Sequence, residues 1–254
     1  MLIDLCDGLL FADQYGAPRP RVVGLHGWAR SRRDWVSVLD GLDAVAIDLP
    51  GFGRSPAPPG PWGTADYAAR LAVCLDGDGL VLAGHSFGGR VAVQFAAAHP
   101  DRVRGLVLTG VPLLHRSDRR AKPPLTYRFI RRADRAGVVP PRQLEWARNR
   151  YGSVDYRAAK GVMRSVLVNS VNEQYVEQLK AIRTNAIPTY LVWGQDDDAV
   201  PLETAHRAAE LLGDTVEVDV VAGSSHLLDA RMSAAVRRRI DQAAAAAGPG
   251  RVAT

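Results

Sequence analysis

Cysteine is scarce in this 254-residue sequence, which contains only Cys6 and Cys74. Neither lies in a C-x-x-C pair or beside a histidine at metal-site spacing, so the sequence predicts two buried, reduced thiols and no disulfide framework. Long apolar runs are also absent, because no stretch reaches the roughly 18 residues of a membrane-spanning helix. The first eight residues include two aspartates and no basic residue, which argues against a signal peptide. We therefore expect a soluble, cytoplasmic protein with no membrane partner.

Aromatic residues make up only 7% of the chain, and its net charge is a modest +5. The positive charge is concentrated in residues 112–186, where 16 Lys and Arg stand against 6 Asp and Glu. This basic segment contains neither interleaved aromatics nor a nucleic-acid-binding motif, so we expect no nucleic-acid partner. Two interpretations remain open. Either the segment attracts an anionic substrate, or its charged residues merely lie on helix faces that are exposed to solvent.

Short apolar segments that read as strands alternate with segments that read as helices, a pattern typical of βαβ units and a mainly parallel sheet. Strands are predicted at Leu2–Leu5, Leu9–Asp13, Arg21–Leu25, Ala44–Leu49, Leu80–Ala83, Val103–Thr109, Pro188–Trp193 and Thr215–Val221. Helices are predicted at Asp34–Leu39, Thr64–Leu75, Ser86–Ala98, Leu202–Leu212 and Leu227–Ala247. The Asp7-Gly8 dipeptide predicts a hairpin turn between the first two strands.

The alternation stops between residues 112 and 186, where no convincing strand occurs. This segment contains only helical stretches, at Leu125–Ala136, Pro141–Arg150, Asp155–Asn169 and Asn172–Ile182. The simplest domain organisation is one α/β core, residues 1–111 and 187–254, interrupted by a helical cap at residues 112–186.

A candidate nucleophile lies in Gly84-His85-Ser86-Phe87-Gly88, which matches the pattern G-x-S-x-G. The pattern is informative only in context, and here a predicted strand precedes it and a predicted helix follows it. A tight strand-to-helix turn would expose the Ser86 hydroxyl, with glycines where larger side chains would collide. The helix N-terminus would also favour a developing negative charge.

A serine nucleophile requires a general base, and six histidines are available. His85 is adjacent to Ser86 in sequence and badly placed to accept its proton, while His26 belongs to an earlier loop. His99, His115 and His206 lie at a helix end or among polar residues. His226 follows the last predicted strand, on a loop that reaches the same sheet edge, and is therefore the predicted base.

The base in turn requires an orienting carboxylate, and three consecutive aspartates, Asp196, Asp197 and Asp198, follow the strand before the last. The resulting order of serine, acid and histidine is the one found in the α/β-hydrolase fold. We place the acid at Asp197, ahead of its two neighbours. The two donors of an oxyanion hole are predicted to be the backbone N–H groups of Phe87 and Trp28.

Together these motifs resemble the α/β-hydrolase superfamily along almost the whole chain. The matching pieces are His26-Gly27-Trp28, Asp48-Leu49-Pro50-Gly51-Phe52-Gly53-Arg54-Ser55, the Ser86 turn, Gly194-x-x-Asp197-x-x-x-Pro201 and His226. The resemblance implies a mostly parallel eight-stranded sheet flanked by helices, with a cap inserted after the sixth strand. In such proteins the acid usually lies three residues after the glycine, which favours Asp197.

The resemblance implies a serine hydrolase of the carboxylesterase type that cleaves a small ester through an acyl-enzyme and needs neither metal nor cofactor. The expected partner is a small-molecule ester, with an anionic ester as one option. Thioesterase, lactonase and C–C hydrolase activities stay open, as do lyase or perhydrolase chemistry and an inactive ligand-binding protein. The acyl chain length and the oligomeric state are left open by the sequence.

Overall fold

The structure, a computed structural model, describes residues 1–115 and 154–245. Its strands are β1 Leu2–Asp4, β2 Phe11–Tyr15, β3 Val22–Leu25, β4 Ala44–Asp48, β5 Leu80–His85, β6 Val103–Thr109, β7 Thr189–Gly194 and β8 Val216–Val221. Its helices are α1 Val36–Leu39, α2 Thr64–Cys74, α3 Phe87–Ala98, α4 Val154–Ala158, α5 Val162–Asn172, α6 Val176–Thr184, α7 Leu202–Leu212 and α8 Ala230–Ala245. Each predicted strand is present, with boundaries that differ by at most two residues at either end.

The eight strands form one sheet in the spatial order β1-β2-β4-β3-β5-β6-β7-β8. The pairs β1–β2 and β2–β4 are antiparallel, and every other neighbouring pair is parallel. The hairpin between β1 and β2 turns at Asp7 and Gly8, both of which have positive φ angles. The predicted mostly parallel, eight-stranded sheet with flanking helices is therefore confirmed.

Alternate side chains of the central strand β5 enter two separate apolar layers, because successive side chains of a strand point to opposite faces. Leu80 and Leu82 pack in the layer that contains α2, α3, α6 and α7. Val81 and Ala83 pack in the layer that contains α1 and α8. Both faces of the sheet are thus buried. A site must therefore be built on the loops that follow the carboxyl ends of the strands.

Part of the predicted cap lies outside the described residues, including the predicted helices Leu125–Ala136 and Pro141–Arg150. In the described part, the predicted helix Asp155–Asn169 is divided into α4 and α5, with Gly161 at a positive φ of 52° between them. Helix α6 packs on the core, since Leu179 and Ile182 are fully buried in the same apolar layer as α3. The division into a core and a cap at residues 112–186 stays a prediction.

The prediction of two reduced thiols is wrong, because Cys6 and Cys74 form a disulfide with a Cα–Cα distance of 5.4 Å. Cys6 lies in the turn between β1 and β2, and Cys74 is the last residue of α2. The two cysteines are separated by 68 positions in the sequence, so only the packing of the hairpin against α2 brings them together. A spacing pattern cannot reveal such a pair.

None of the helices within residues 1–115 and 154–245 combines the length and the apolar character that crossing a membrane requires. The predicted cytoplasmic location stays a prediction.

Candidate active site

Three strands deliver the candidate triad to one edge of the sheet. Ser86 directly follows β5, Asp197 lies on the loop after β7, and His226 lies on the loop after β8. Because β5, β6, β7 and β8 are parallel neighbours, their carboxyl ends meet at the same edge. The fold therefore brings together the three residues that the sequence motifs single out.

Ser86 occupies a strained turn between β5 and α3. Its φ of 48° and ψ of −111° lie far from the helical values of the residues that follow, so Ser86 precedes α3 and is not part of it. A non-glycine residue with positive φ costs on the order of 1–3 kcal/mol and persists only where its surroundings enforce it. Here the Ser86 N–H donates to the carbonyl oxygen of Thr109, at 2.9 Å, and so anchors the turn to β6.

The glycines on either side of Ser86 are required by close backbone contacts. A Cβ atom at Gly84 would lie 2.7 Å from the backbone nitrogen of Gly89, and a Cβ at Gly88 would lie 2.6 Å from the carbonyl oxygen of His26. Contacts this short require the backbone to move. The G-x-S-x-G spacing thus reflects a turn in which α3 starts immediately against the loop after β3.

His226 and Asp197 are joined by a hydrogen bond of 2.9 Å between Nδ1 and Oδ2. The Asp197 side chain is 1% exposed, and its second oxygen, Oδ1, accepts the Val200 N–H at 2.8 Å. A carboxylate only accepts hydrogen bonds, so the proton lies on Nδ1 and the Nε2 of His226 is left as a base. Asp196 and Asp198 are exposed, so Asp197 is the buried aspartate of the three.

Two further glycines let the loops of the triad approach each other. Gly110, at a φ of 56°, follows β6, and a Cβ there would lie 2.9 Å from both Cε1 and Nδ1 of His226. A Cβ at Gly194 would lie 2.6 Å from the carbonyl oxygen of Ser224. The loop after β7 therefore packs directly on the loop that carries His226.

The backbone N–H groups of Trp28 and Phe87 have no acceptor among the described residues. Their neighbour Gly88 is engaged differently, since its N–H donates to the carbonyl oxygen of His26 at 3.0 Å and ties the loop after β3 to the start of α3. The rings of Trp28 and Phe87 also meet edge to face, with centroids 5.4 Å apart. Two free N–H groups are thus held beside the Ser86 turn.

His26 supports the loop that carries Trp28. Its Nε2 accepts the Leu49 N–H at 3.0 Å, so Nδ1 carries the proton and donates to the Gly27 carbonyl at 2.7 Å. Burial lowers the pKa of His26. The ring is therefore neutral, and its hydrogen bonds connect the loops after β3 and β4.

A cavity of about 830 Å³ opens above Ser86 and is lined by both Ser86 and His226. Trp28 and Phe87 also line it, together with apolar side chains of α5 such as Leu167 and Val171. A second cavity, of about 780 Å³, lies between β8 and α8 and contains none of these residues. The first cavity is where an ester would meet the candidate nucleophile.

Sequence reasoning missed two residues of this region, His85 and Arg90. His85 is adjacent to the serine, but its Nε2 lies 2.9 Å from the backbone carbonyl oxygen of His226. Arg90 lines the cavity although it is only 8% exposed. The sequence could have pointed to Arg90, because it is a charged residue in a helix made mostly of small and apolar residues. His85 had no comparable signal, because its partner lies 141 positions away.

The other histidines lie as the sequence suggested. His206 and His115 are exposed, although His115 also lines the cavity that contains Ser86. His99 directly follows α3, with its ring 5.2 Å from that of Phe95. No cluster of three or more His, Cys, Asp or Glu side chains suited to a metal ion occurs in the described parts of the chain.

Comparisons with known proteins agree with the fold. The model of a family described as the alpha/beta hydrolase family matches residues 22–239. Lipase LipV of Mycobacterium tuberculosis is 43% identical over 115 residues, a match that covers 42% of each chain. The bifunctional biotin biosynthesis protein BioHC of Cellvibrio japonicus is 28% identical over 240 residues, covering 82% of this chain and 44% of BioHC. The chain thus spans less than half the length of both relatives.

Among solved structures, a thermophilic esterase from Thermogutta terrifontis superposes with a TM-score of 0.64 at 24% identity. The match covers 92% of this chain and 93% of the esterase. Identity this low shows a common fold and no more. Because the family model extends over most of the sheet and its helices, the chain belongs to the alpha/beta hydrolase family.

Proposed function

We propose that the protein hydrolyses carboxylic esters with Ser86 as nucleophile, His226 as general base and Asp197 as the orienting acid. The observation that carries the proposal is the 2.9 Å bond between His226 and the buried Asp197, at the edge of the sheet where Ser86 is held in a strained turn. Similarity to a protein named lipase, at 43% identity over 115 residues, supports an ester as the substrate.

In the proposed reaction the Oγ atom of Ser86 attacks the ester carbonyl while Nε2 of His226 takes the hydroxyl proton. Asp197 stabilises the resulting imidazolium and keeps its ring in place. His226 then gives the proton to the departing alcohol, which leaves an acyl group on Ser86. Water, activated by the same histidine, releases the acid and restores the serine.

The proposed oxyanion hole consists of the N–H groups of Trp28 and Phe87. Both groups lie beside Ser86 and lack acceptors in the described chain, so they are available to a developing negative charge. The Phe87 N–H also begins α3, where the helix dipole favours an anion. In enzymes of this kind, each such donor accounts for about 10²- to 10³-fold in rate.

The cap proposed at residues 112–186 would cover this cavity from the side of α4 and α5. Asp155 of α4 and Leu167 of α5 already line the cavity, which supports a role for this segment in substrate selection. Eight of its basic residues lie between 116 and 135, outside the described residues. The proposal that they attract an anionic substrate therefore rests on their charge alone.

A panel of p-nitrophenyl esters of increasing acyl length tests the proposal, with wild type compared with Ser86→Ala. We expect kcat to fall by about 10⁶-fold in the variant, because removing the nucleophile of a triad that acts as a unit leaves only binding and the oxyanion hole. Ser37→Ala, at an exposed serine of α1, is the matched control and should turn over as wild type does.

A fluorophosphonate probe separates the alternatives of lyase, perhydrolase or inactive binding protein. Covalent labelling of folded wild type but not of Ser86→Ala indicates an activated serine. Labelled protein that turns over no ester would favour the lyase or perhydrolase chemistry, and folded protein that takes up no label would favour the binding protein. Ester turnover by Ser86→Ala at the wild-type rate would overturn the assignment of the nucleophile.

A further inference from the structure

Arg90 is a cation buried inside the candidate active site. It lies on α3, four residues after Ser86 and therefore about one turn, or roughly 6 Å, along the helix axis. Its residue surface is 8% exposed, and it lines the same cavity as Ser86 and His226. Removing a charged group from water costs free energy, so a buried arginine is normally paired with groups that compensate its charge.

Two backbone carbonyls hold the guanidinium in a fixed position. Nε donates to the carbonyl oxygen of Pro112 at 3.1 Å, and Nη1 donates to the carbonyl oxygen of Ser170 on α5. These contacts come from two separate parts of the fold, one from the segment after β6 and one from α5. They orient the cation, but carbonyl oxygens do not neutralise it.

Among residues 1–115 and 154–245, no carboxylate forms an ion pair with Arg90. The Glu173 carboxylate acts on Arg90 electrostatically, but its oxygens accept from the N–H and the Oγ1 hydroxyl of Thr64 and from the hydroxyl of Tyr175. The Tyr175 ring lies 6.0 Å from the Arg90 guanidinium. The third nitrogen of Arg90, Nη2, has no acceptor in residues 1–115 and 154–245.

Arg30, which is the second arginine among the described residues that line the cavity, provides a contrast. Its Nε and Nη2 each donate to Asp34 at 2.7 Å, so its charge is paired with a carboxylate. Asp155 contributes a negative charge to the lining, but it is exposed on α4. Arg90 is thus a fixed cation that lines the cavity of the candidate nucleophile and has one nitrogen without an acceptor among the described residues.

We propose that Arg90 is a specificity-determining residue that binds an anionic group of the substrate, so that the preferred ester carries a carboxylate. This inference rests on the proposed ester hydrolysis at Ser86 and deepens it. A carboxylate matches the donors of a guanidinium, and the pair is strengthened where water is excluded. The bound anion would supply the ion-pair partner that Arg90 lacks among the described residues.

The test compares two nearly isosteric substrates, the mono-p-nitrophenyl ester of glutaric acid and its methyl-capped, uncharged counterpart. The measured quantity is the ratio of their kcat/KM values in wild type and in Arg90→Met. We expect the ratio to fall by about 10- to 100-fold in the variant, since a charge-assisted hydrogen bond is lost only with the charged ester. Arg90→Lys keeps the charge and should restore part of the preference.

Arg102→Met is the matched control for the loss of structure. Arg102 also donates to backbone carbonyls, those of Ala72, Leu75 and Gly77, and stacks on the Phe95 ring at 5.3 Å. It does not line the cavity. Arg102→Met should therefore leave the ratio between the two esters unchanged, even where it lowers stability.

A binding measurement on Ser86→Ala protein separates this inference from the proposed reaction. Calorimetric titration compares monomethyl glutarate with dimethyl glutarate, with and without the additional Arg90→Met change. We expect at least tenfold tighter binding of the monoanion, and loss of that difference in the double variant. This result would support the anion site even if wild type hydrolysed neither ester, an outcome that would reject only the hydrolase proposal.

Two results would overturn the role of Arg90. One is an equal loss of kcat/KM on the charged and the uncharged ester, which would indicate only a structural contribution. The other is binding of monomethyl glutarate that does not depend on Arg90. Repeating the kinetics with succinate and adipate half-esters then identifies the chain length that fits between Ser86 and Arg90.

Discussion

The imidazole of His85 contacts the backbone of the candidate base, because its Nε2 lies 2.9 Å from the carbonyl oxygen of His226. A carbonyl only accepts, so Nε2 is the protonated nitrogen and Nδ1 is bare. That Nδ1 is buried and has no hydrogen-bond partner within the part of the chain that the structure describes. His85 thus links the Ser86 turn to the loop of His226, and it does so as a neutral ring.

This arrangement predicts that the protein loses stability in mild acid. Burial, followed by repulsion from His226, lowers the pKa of His85 to about 4 from its ordinary value of 6.5. Between these values the unfolded chain holds a proton that the native state does not, so the free energy of unfolding falls as the pH falls. Each pH unit costs about 1.4 kcal/mol, or roughly 3 kcal/mol in all.

Urea denaturation from pH 7 to pH 4 measures this effect. In His85→Gln the amide can still donate to the His226 carbonyl, but it does not titrate. The slope of the unfolding free energy against pH should therefore be smaller, by an amount that corresponds to the uptake of about one proton. His206→Gln, at an exposed histidine of α7, is the control and should retain the wild-type slope. A wild-type slope in His85→Gln would show that His85 does not titrate in this way.

The burial of Asp197 predicts that replacing it affects kcat far more than replacing either of the two neighbouring aspartates. Asp197→Asn replaces the acceptor of the His226 Nδ1 proton with an amide that favours the wrong tautomer, so kcat should fall by about 10⁴-fold. Asp196→Asn and Asp198→Asn alter exposed side chains and should stay within a few-fold of wild type. Ester kinetics on the three variants decide the matter, and a large loss in either neighbour instead of Asp197 would contradict the assignment.

The close approach of Gly110 to the pair of His226 and Asp197 predicts a loss of activity in Gly110→Ala. The new Cβ would lie 2.9 Å from His226 Nδ1 and 3.2 Å from Asp197 Oδ2, so the imidazole must shift. Displacement of a catalytic group by about 1 Å can reduce the rate by 10²-fold. Measured kcat for ester hydrolysis reports this loss.

Gly41→Ala is the control for Gly110→Ala, because it isolates the backbone contribution. Gly41 also has a positive φ, of 74°, but an added Cβ there meets nothing within 4 Å. Both variants should lose about 1–2 kcal/mol of stability from the unfavourable φ, whereas only Gly110→Ala should lose kcat. Equal kinetics in the two variants would contradict the predicted contact.

The bond between Cys6 and Cys74 predicts a redox-dependent stability. The crosslink closes a long segment of chain, 68 positions in sequence, and so removes about 4 kcal/mol of denatured-state freedom. We expect Cys6→Ala/Cys74→Ala to unfold at a lower urea concentration, and dithiothreitol to destabilise wild type but not the double variant. If a thiol reagent detected two free thiols in native protein prepared without reductant, the bond would be ruled out.

The sequence predicted the fold because its signals were local and mutually consistent. Each strand was a short apolar segment bounded by turn residues, and the alternation with helices implied a parallel sheet with both faces covered. The Ser86 turn could be located in the same way, since Gly84 and Gly88 are required by the backbone geometry of the turn itself. His226 followed from chain order, because a residue after the last parallel strand must lie at the same sheet edge.

What the sequence alone determined was therefore the sheet, the serine turn and the order of the candidate triad. Tertiary structure decided which contacts surround them, because these depend on residues that meet only after the strands pair. It buried Asp197 while leaving Asp196 exposed, and it joined Cys6 to Cys74 across the hairpin and α2. It also placed Arg90 against α5, where no carboxylate of the described residues forms an ion pair with it. Long-range packing sets such burial and charge balance, and no local pattern encodes them.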